Sequence, residues 1–488
     1  MCTDNETRSL ERDGDALDVF RALEVERIRY VIWKDVPELA HYRDGDGELD
    51  LLVHDADLGR LRNVARQQGY GEYRHHLDIY GGAITHLIRF SEGRYYHLHV
   101  HTALLTGDHC AKEFDLTSLF DDGLFASPHV GGARIVSAES EYTIGVVRLV
   151  LKAASPSGIK LNELERLRAL HCPALWKAAL ERIARRVPLS EDAANALLAV
   201  MEGEDGRLVE LARFLPLFDG LRRLGRFDAF EARWRLRIAD AIAGLFDLSN
   251  KVMTERAPTV AIMGPDGSGK TTLCDALERT LRKKISIARI YLGSNAETYG
   301  PFARLAHLAH GAIGRARRVL PGSAFPSDLY NLSLAVLEYA KCRDRVRRIR
   351  RGRRLAVRGV VVLFERYPVV GLYDSPTLGA RIERGEVRLG RLVAAPVRGL
   401  LTRIERLLEA EAWPDVALLC SVDYGRIASR RRLRPDEEKD IRRKLALLRD
   451  YVPREGDDLQ IVANDGRLSD TLARVFAEVN ETLCSRSS

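Results

Sequence analysis

Pro258-Thr-Val-Ala-Ile-Met-Gly-Pro-Asp-Gly-Ser-Gly-Lys-Thr-Thr-Leu273 decides how the C-terminal half of this chain folds. Within it Gly264 to Thr271 reads G-x-x-x-x-G-K-[ST], the spacing of a phosphate-binding loop. Val260, Ala261, Ile262 and Met263 predict a short apolar strand before the loop. Leu273, Ala276, Leu277 and Leu281 recur at helical spacing after it. Strand, glycine-rich turn and helix are together the context that the motif requires. Gly264, Gly267 and Gly269, with Asp266 and Ser268 between them, let successive backbone N–H groups turn towards one anion. The helix N-terminus adds partial positive charge. Lys270 is expected to reach the outer phosphates of a nucleotide and the Thr271 hydroxyl to ligate Mg²⁺, with Thr272 completing the run.

Working outward, strands and helices alternate from Thr259 onward, which predicts an α/β unit with a doubly wound parallel sheet over 256–488. The candidate strands are Thr259–Met263, Ala288–Leu292, Val360–Phe364, Val416–Ser421 and Leu459–Val462. Before it, residues 15–136 alternate short apolar runs with glycine and polar breaks and read as α+β. Residues 137–250 read as a helical middle region. The segment 251–258 is the expected boundary before the P-loop unit. No function emerges from the pattern of the helical region.

Composition bounds the rest. The chain has 488 residues, 46% hydrophobic and 30% charged, enough for two to four folded domains with ample core. No run approaches the ~18–20 apolar residues of a membrane span. The N-terminus is polar and acidic rather than a secretory leader. Seven scattered cysteines without a C-x-x-C pair suit a reducing compartment, so a cytoplasmic location is expected. The net charge of +7 is modest and concentrated. Arginines crowd 343–354 and again 430–434, both within the P-loop third of the chain. A phosphate-rich small ligand explains that placement as well as nucleic acid does, and no aromatic residues interleave the basic runs as nucleic-acid binding would favour.

Two of these features bear on catalysis. Gly359-Val-Val-Val-Leu-Phe-Glu-Arg-Tyr-Pro368 is an apolar strand ending in Glu365-Arg366. In doubly wound sheets ligands bind at the carboxyl ends of strands, so Glu365 can hold Mg²⁺ through water while Arg366 forks onto a substrate phosphate. The alternative is a surface ion pair capping the strand. Arg430, Arg431 and Arg434 form a basic cluster that either closes over the transferring phosphoryl group as a lid or faces solvent. The arginines of 343–354 read mostly as a solvated helix face, with one or two turned to the site. Val462 to Asp465, a strand end and polar turn, is a candidate border for the adenine.

From Thr259 to about Leu483 these pieces resemble the thymidylate kinase-like branch of the nucleoside-monophosphate kinases. That resemblance rests on Gly264-Pro-Asp-Gly-Ser-Gly-Lys-Thr-Thr-Leu273, Glu365-Arg366-Tyr367, and Pro414-Asp-Val-Ala-Leu-Leu419 before the arginine cluster. It implies ATP and Mg²⁺ as cofactors and transfer of the γ-phosphoryl to a small phosphorylated acceptor, a nucleotide or a sugar phosphate. It further implies that Arg366 contacts the acceptor phosphate and Asp266 approaches the acceptor sugar. Two departures stand out: Glu365 replaces the usual Asp, and 371–411 is a long insertion, opened by Asp374-Ser-Pro376, where the acceptor wall belongs.

In the N-terminal part, Glu48 and Asp50 sit at i and i+2 on one face of a predicted strand. Such a pair can hold Mg²⁺ for nucleotidyl transfer, or it is simply a polar strand face. Trp33-Lys34, then Glu48-Leu-Asp50, then Tyr96-His-Leu-His-Val-His101 resemble, in that order, a nucleotidyltransferase-fold domain. The usual Gly-Ser before the carboxylates reads Trp33-Lys34, and histidine stands where a third carboxylate is expected. His97, His99 and His101 share one strand face; with His75 or His76 they could instead take zinc, or line a polar pocket. Three readings follow: a P-loop small-molecule kinase, a bifunctional protein with an active N-terminal nucleotidyltransferase, and an ATP-dependent switch or nucleic-acid-binding P-loop protein. Neither a membrane nor nucleic acid is the expected partner, and the sequence is silent on oligomeric state.

Overall fold

The structure, a computed structural model, describes residues 16–34, 38–75, 83–107, 112–120, 122–153, 161–245, 251–293, 299–319, 324–368, 377–430, 438, 441–446, 459–464 and 466–485. The chain divides into two compact units, the first running to Lys251 and the second spanning essentially Val252–Arg486.

In the first unit, β1 (Tyr30–Lys34), β2 (Gly47–Val53), β3 (Gly71–His75), β4 (Ile84–Ser91) and β5 (Arg94–His101) lie in the sheet order β1-β2-β5-β4-β3. The period of two sorts their side chains. Tyr30, Ile32, Leu49, Leu51, Val53, Leu98 and Val100 face one way and join a core with Phe20, Leu23, Leu61 and Val64. Those four come from helices Asp18–Val25 and Leu58–Gln67. Val31, Trp33 and Leu52 face the other way and pack with helix α1 (Ala138–Lys152) and the helices after it. Ser137 caps α1, its hydroxyl accepting from Ser140 N–H. Most of α1 is buried on every side, which fits its near-continuous apolar sequence. Among the described residues of 137–250, helices Leu161–Leu170, Pro173–Ala184, Glu191–Met201 and Arg226–Leu245 follow α1. Its apolar residues from α1 to Leu221 extend the core on this second face of the sheet.

In the second unit, β6 (Thr259–Met263), β7 (Ile287–Tyr291), β8 (Val361–Glu365), β9 (Val416–Ser421) and β10 (Leu459–Ala463) form one sheet in the order β7-β8-β6-β9-β10. All four pairings are parallel. All five expected strands form, within a residue of the bounds read from the sequence. β6 is central and buried along its whole length. Its neighbours β8 and β9 flank the point where the strand order reverses, so the loop leaving β6 opens into the crevice at the carboxyl edge.

Helix α2 (Lys270–Arg282) follows that loop and buries Leu273, Cys274, Leu277 and Leu281. Helices α3 (Pro301–Val319), α4 (Ala324–Val357), α5 (Arg391–Glu409) and the C-terminal α6 (Leu468–Ser485) also belong to the unit, with shorter helices at Thr377–Glu383 and Tyr424–Arg430. α4 packs against α5 through Ala335, Cys342, Val346, Val397, Leu401 and Ile404. The long insertion is thus largely helical where described; Asp374-Ser-Pro376 lies outside the described residues. Among the described residues, no helix is long and apolar enough to cross a membrane.

Candidate functional site

The loop between β6 and α2 takes its shape from three glycines. Gly264, Gly267 and Gly269 have φ of +143°, +87° and +88°. A Cβ on Gly264 would stand 2.7 Å from both the Cys420 carbonyl and Ser268 Oγ, so the residue is required by φ and by space alike. Gly269 caps α2 in the left-handed conformation. The loop's curvature aims the first N–H groups of α2 back into its own concavity.

Asn464, at the end of β10, ties this loop down. Its Nδ2 donates to the Ser268 carbonyl at 2.7 Å, while its Oδ1 accepts from Thr471 Oγ1 at 3.2 Å. In the segment 462–465, the candidate border for the adenine, Asn464 is buried against the loop backbone, and Asp465 lies outside the described residues. Asn464→Ala would leave the Ser268 carbonyl without this donor. The expected cost is about 1–3 kcal/mol, read as a lower midpoint of thermal unfolding.

Lys270 is 4% exposed, and its Nζ donates to the Pro265 carbonyl at 2.6 Å. Burial, reinforced by the Arg366 charge, pulls its pKa down to about 8. Ser268 Oγ is buried and has no hydrogen-bond partner among the described residues. Thr271 Oγ1 donates to Glu365 Oε1 at 2.8 Å. The two residues expected to share a metal ion are therefore adjacent, although 94 positions separate them in sequence.

Glu365 is the last residue of β8 and is 4% exposed. Its other oxygen, Oε2, receives Arg289 from β7, with Nε at 3.1 Å and Nη2 at 2.6 Å. Arg289 also reaches Asp275 and Glu278 on α2. Sequence reading missed Arg289. Its signal was an arginine inside the otherwise apolar run Ile287-Ala-Arg-Ile-Tyr291, a half-buried strand on which a charge calls for a partner.

Arg366 adopts φ of +63°, in the left-handed region, directly after β8. Such backbone strain costs ~1–3 kcal/mol and collects at functional sites. Its Nη1 pairs with Asp266 Oδ1 at 2.8 Å, and its guanidinium lies 5.8 Å from the Tyr291 ring centroid. Its Nε is buried without a partner among the described residues. Lys444 approaches Asp266 from the other side at 3.6 Å. Burial pushes the Asp266 carboxyl upward, but Arg366, Lys444 and Lys270 outweigh it and hold the pKa below the usual value.

Two arginines of the basic run on α4 do turn inward. Arg345 Nε donates to the Leu292 carbonyl at 2.9 Å, and Arg348 Nη1 to the Tyr291 carbonyl at 2.6 Å. They cap the carboxyl end of β7. Arg350 and Arg353 instead clasp Glu411 at 2.8 and 2.9 Å. Thr272 is exposed on the first turn of α2. Arg430 ends helix Tyr424–Arg430, and its side chain is not described. Arg431 and Arg434 lie outside the described residues.

The first unit holds a second cluster. β2 and β5 are parallel, pairing Glu48 with His97, Asp50 with His99 and Leu52 with His101. Asp50 Oδ1 accepts from both His99 Nδ1 at 2.8 Å and His101 Nε2 at 3.0 Å, and Oδ2 takes Lys34 at 3.1 Å. Glu48 approaches His97 Nδ1 at 2.9 Å. Burial lowers the pKa of His97 to about 4 and of His101 to about 3, and lowers that of His99 too, so all three rings are neutral near pH 7. Burial alone would raise the Asp50 pKa; hydrogen bonds from His101 and His99 and the Lys34 charge hold it well below the usual value.

His86 was not among the residues singled out from sequence. It stacks on His99 with centroids 4.6 Å apart and meets His97 at 3.0 Å. The turn Glu92-Gly93, with both residues at positive φ, sets the β4–β5 register that brings it there. His75 ends β3, and His76 lies outside the described residues.

Against known proteins, no family profile matches the chain. Two curated relatives, both named uncharacterized ATP-binding protein YghR, come from Escherichia coli strain K12 and from Escherichia coli O6:H1 strain CFT073. Each is 26% identical over 187 residues, which span 37% of this chain and 69% of the relative. Among solved structures the chain is similar to thymidylate kinase from Candida albicans. The TM-score is 0.30 and the identity 18%, with 45% of this chain and 89% of that chain covered.

Proposed function

We propose that the second unit is an ATP- and Mg²⁺-dependent phosphotransferase of the nucleoside-monophosphate kinase type, moving the γ-phosphoryl to a small phosphorylated acceptor. The observation that carries this reading is the Thr271–Glu365 contact at 2.8 Å with Arg366 beside it, ion-paired to Asp266 of the phosphate loop. A loop that only held a nucleotide would have no use for an arginine in strained backbone at the strand end. The ATP-binding name of the curated relatives supports the nucleotide.

The residues present fit both ligands. Ser268 Oγ and Arg366 Nε are buried polar atoms awaiting an acceptor, and the Gly264 cradle leaves no room for a Cβ. Thr271 and Glu365 offer oxygen donors for Mg²⁺, which supplies charge neutralisation across the outer phosphates when bound. The chain's own groups then position the reactants. The loop amides and Lys270 hold the phosphates, and the Arg366 fork orients the acceptor phosphate in line with the transferring group. Arg430, Arg431 and Arg434 are proposed to close over that group as a lid.

The test is acceptor-dependent ADP formation from ATP with a panel of nucleoside monophosphates and sugar phosphates. At least one acceptor should raise the rate well above that of Lys270→Ala. Equal rates for wild type and variant across the whole panel would sink the proposal.

The Lys270 pKa gives a second expectation. The free unit holds this group at about 8, below its ordinary 10.5. Stability from this group therefore rises as pH rises from about 8 towards 10.5, because the unfolded chain binds more protons there. Bound phosphates favour the protonated amine, so nucleotide binding should take up a proton above pH 8. Calorimetric titrations between pH 7.5 and 9.5 should show affinity falling by up to about tenfold per pH unit above 8. Flat affinity would place Lys270 away from the phosphates.

A further inference from the structure

We propose that the first unit carries a site for one divalent transition-metal ion of the zinc type, held by Asp50, His99 and His101. The three donor atoms, one from each residue, lie within 4.8 Å of one another. Both imidazoles converge on a single carboxylate oxygen, at 2.8 and 3.0 Å. A tetrahedral ion with bonds of ~2.0–2.1 Å sets its ligand atoms about 3.3 Å apart, close to the two carboxylate–imidazole separations seen here.

Position favours the same reading. The ligands stand on two strands paired in parallel, Asp50 opposite His99, so the sheet register fixes their spacing rather than a loop. All three line one cavity of about 520 Å³, whose wall also includes Glu48, Lys112 and Arg148. An ion there keeps an open position towards that cavity, the arrangement of a reactive rather than a closed structural site. Glu48 Oε1, 3.6 Å from His99 Nδ1, is near enough to supply a further oxygen. Ligation needs each ring to move its proton to the other nitrogen, with no net charge change on either imidazole.

The donor set selects the ion. Two imidazoles and a carboxylate suit zinc, cobalt, nickel or copper, whereas Mg²⁺ prefers an octahedron of oxygens. Stacking of His86 on His99 limits the rotation of that ring. Trp33 packs edge-to-face on His101 at 5.3 Å and limits that ring likewise.

The experiment is titration of the tag-free full chain, stripped with chelator, by Co²⁺ followed by Zn²⁺. One Co²⁺ per chain should bind with the intense visible absorption of a four- or five-coordinate ion. Zn²⁺ should displace it, and excess Mg²⁺ should not. His99→Asn and Asp50→Asn should each weaken uptake by at least about 100-fold, while His307→Asn, an exposed residue of α3, leaves it unchanged. X-ray absorption of the Zn²⁺-loaded wild type covers the case in which those variants do not fold, and two imidazoles with oxygen are expected. Absence of stoichiometric uptake, uptake undiminished in both variants, or a shell without imidazole would overturn the proposal.

Discussion

Lys270→Ala should lower acceptor-dependent turnover by about 100- to 1,000-fold, the usual loss when one preorganised charge partner of a transition state is removed. The amine is buried, and its contact with the Pro265 carbonyl at 2.6 Å keeps it within the loop's concavity. A methyl group in its place leaves the glycine geometry intact, because Gly264, Gly267 and Gly269 set the loop without help from the side chain. The variant should therefore fold with little change in its unfolding midpoint. Relief from burying an ammonium whose charged form is already disfavoured offsets the loss of its hydrogen bond to the Pro265 carbonyl. Stopped turnover with retained stability separates a catalytic lysine from a structural one. Circular dichroism melts and initial rates on the same preparation make the comparison.

Glu365→Gln should produce a loss of similar size through a different group. The glutamine keeps the volume and can still accept from Thr271, and Arg289 retains Asp275 and Glu278. Stability should fall by only ~1–3 kcal/mol, the cost of weakening one charged hydrogen-bond set. Turnover should fall about 100- to 1,000-fold, and the Mg²⁺ concentration for half-maximal rate should rise. Glu365→Asp is the informative partner. It restores the charge with a shorter reach, as in the kinases that the motif resembles, and should recover most of the rate. If Gln and Asp lose the same activity at unchanged Mg²⁺ dependence, Glu365 serves to hold Arg289 and nothing more.

Local rules carried the loop from sequence to structure. Left-handed glycines, a buried apolar strand and an amphipathic helix are each written in fewer than twenty consecutive residues. Glu365 and Arg366 were legible for a related reason. A charge pair ending a fully apolar strand has to emerge at the sheet's carboxyl edge.

Residues whose role depends on which strands become neighbours were not legible. Arg289 reaches Glu365 because β7 and β8 are adjacent, which the chain order does not announce. Asn464 reaches Ser268 across 196 positions. His86 joins the other histidines through one hairpin register. His97, His99 and His101 announced a common face by their alternation, but the parallel pairing of β2 with β5 is what sets them against Glu48 and Asp50. Arg350 and Arg353 read as a solvated face, yet both clasp Glu411, a partner that helix periodicity alone cannot reveal.

The central claim is that the second unit transfers a phosphoryl group and does not merely hold or hydrolyse the nucleotide. Following the label of [γ-³²P]ATP tests it most directly, with the wild-type chain, Mg²⁺ and each acceptor of the panel. The account predicts label on a phosphorylated acceptor, dependent on Lys270 and Glu365. Label recovered solely as inorganic phosphate, at a rate indifferent to every acceptor, would contradict it and leave an ATP-hydrolysing switch in its place.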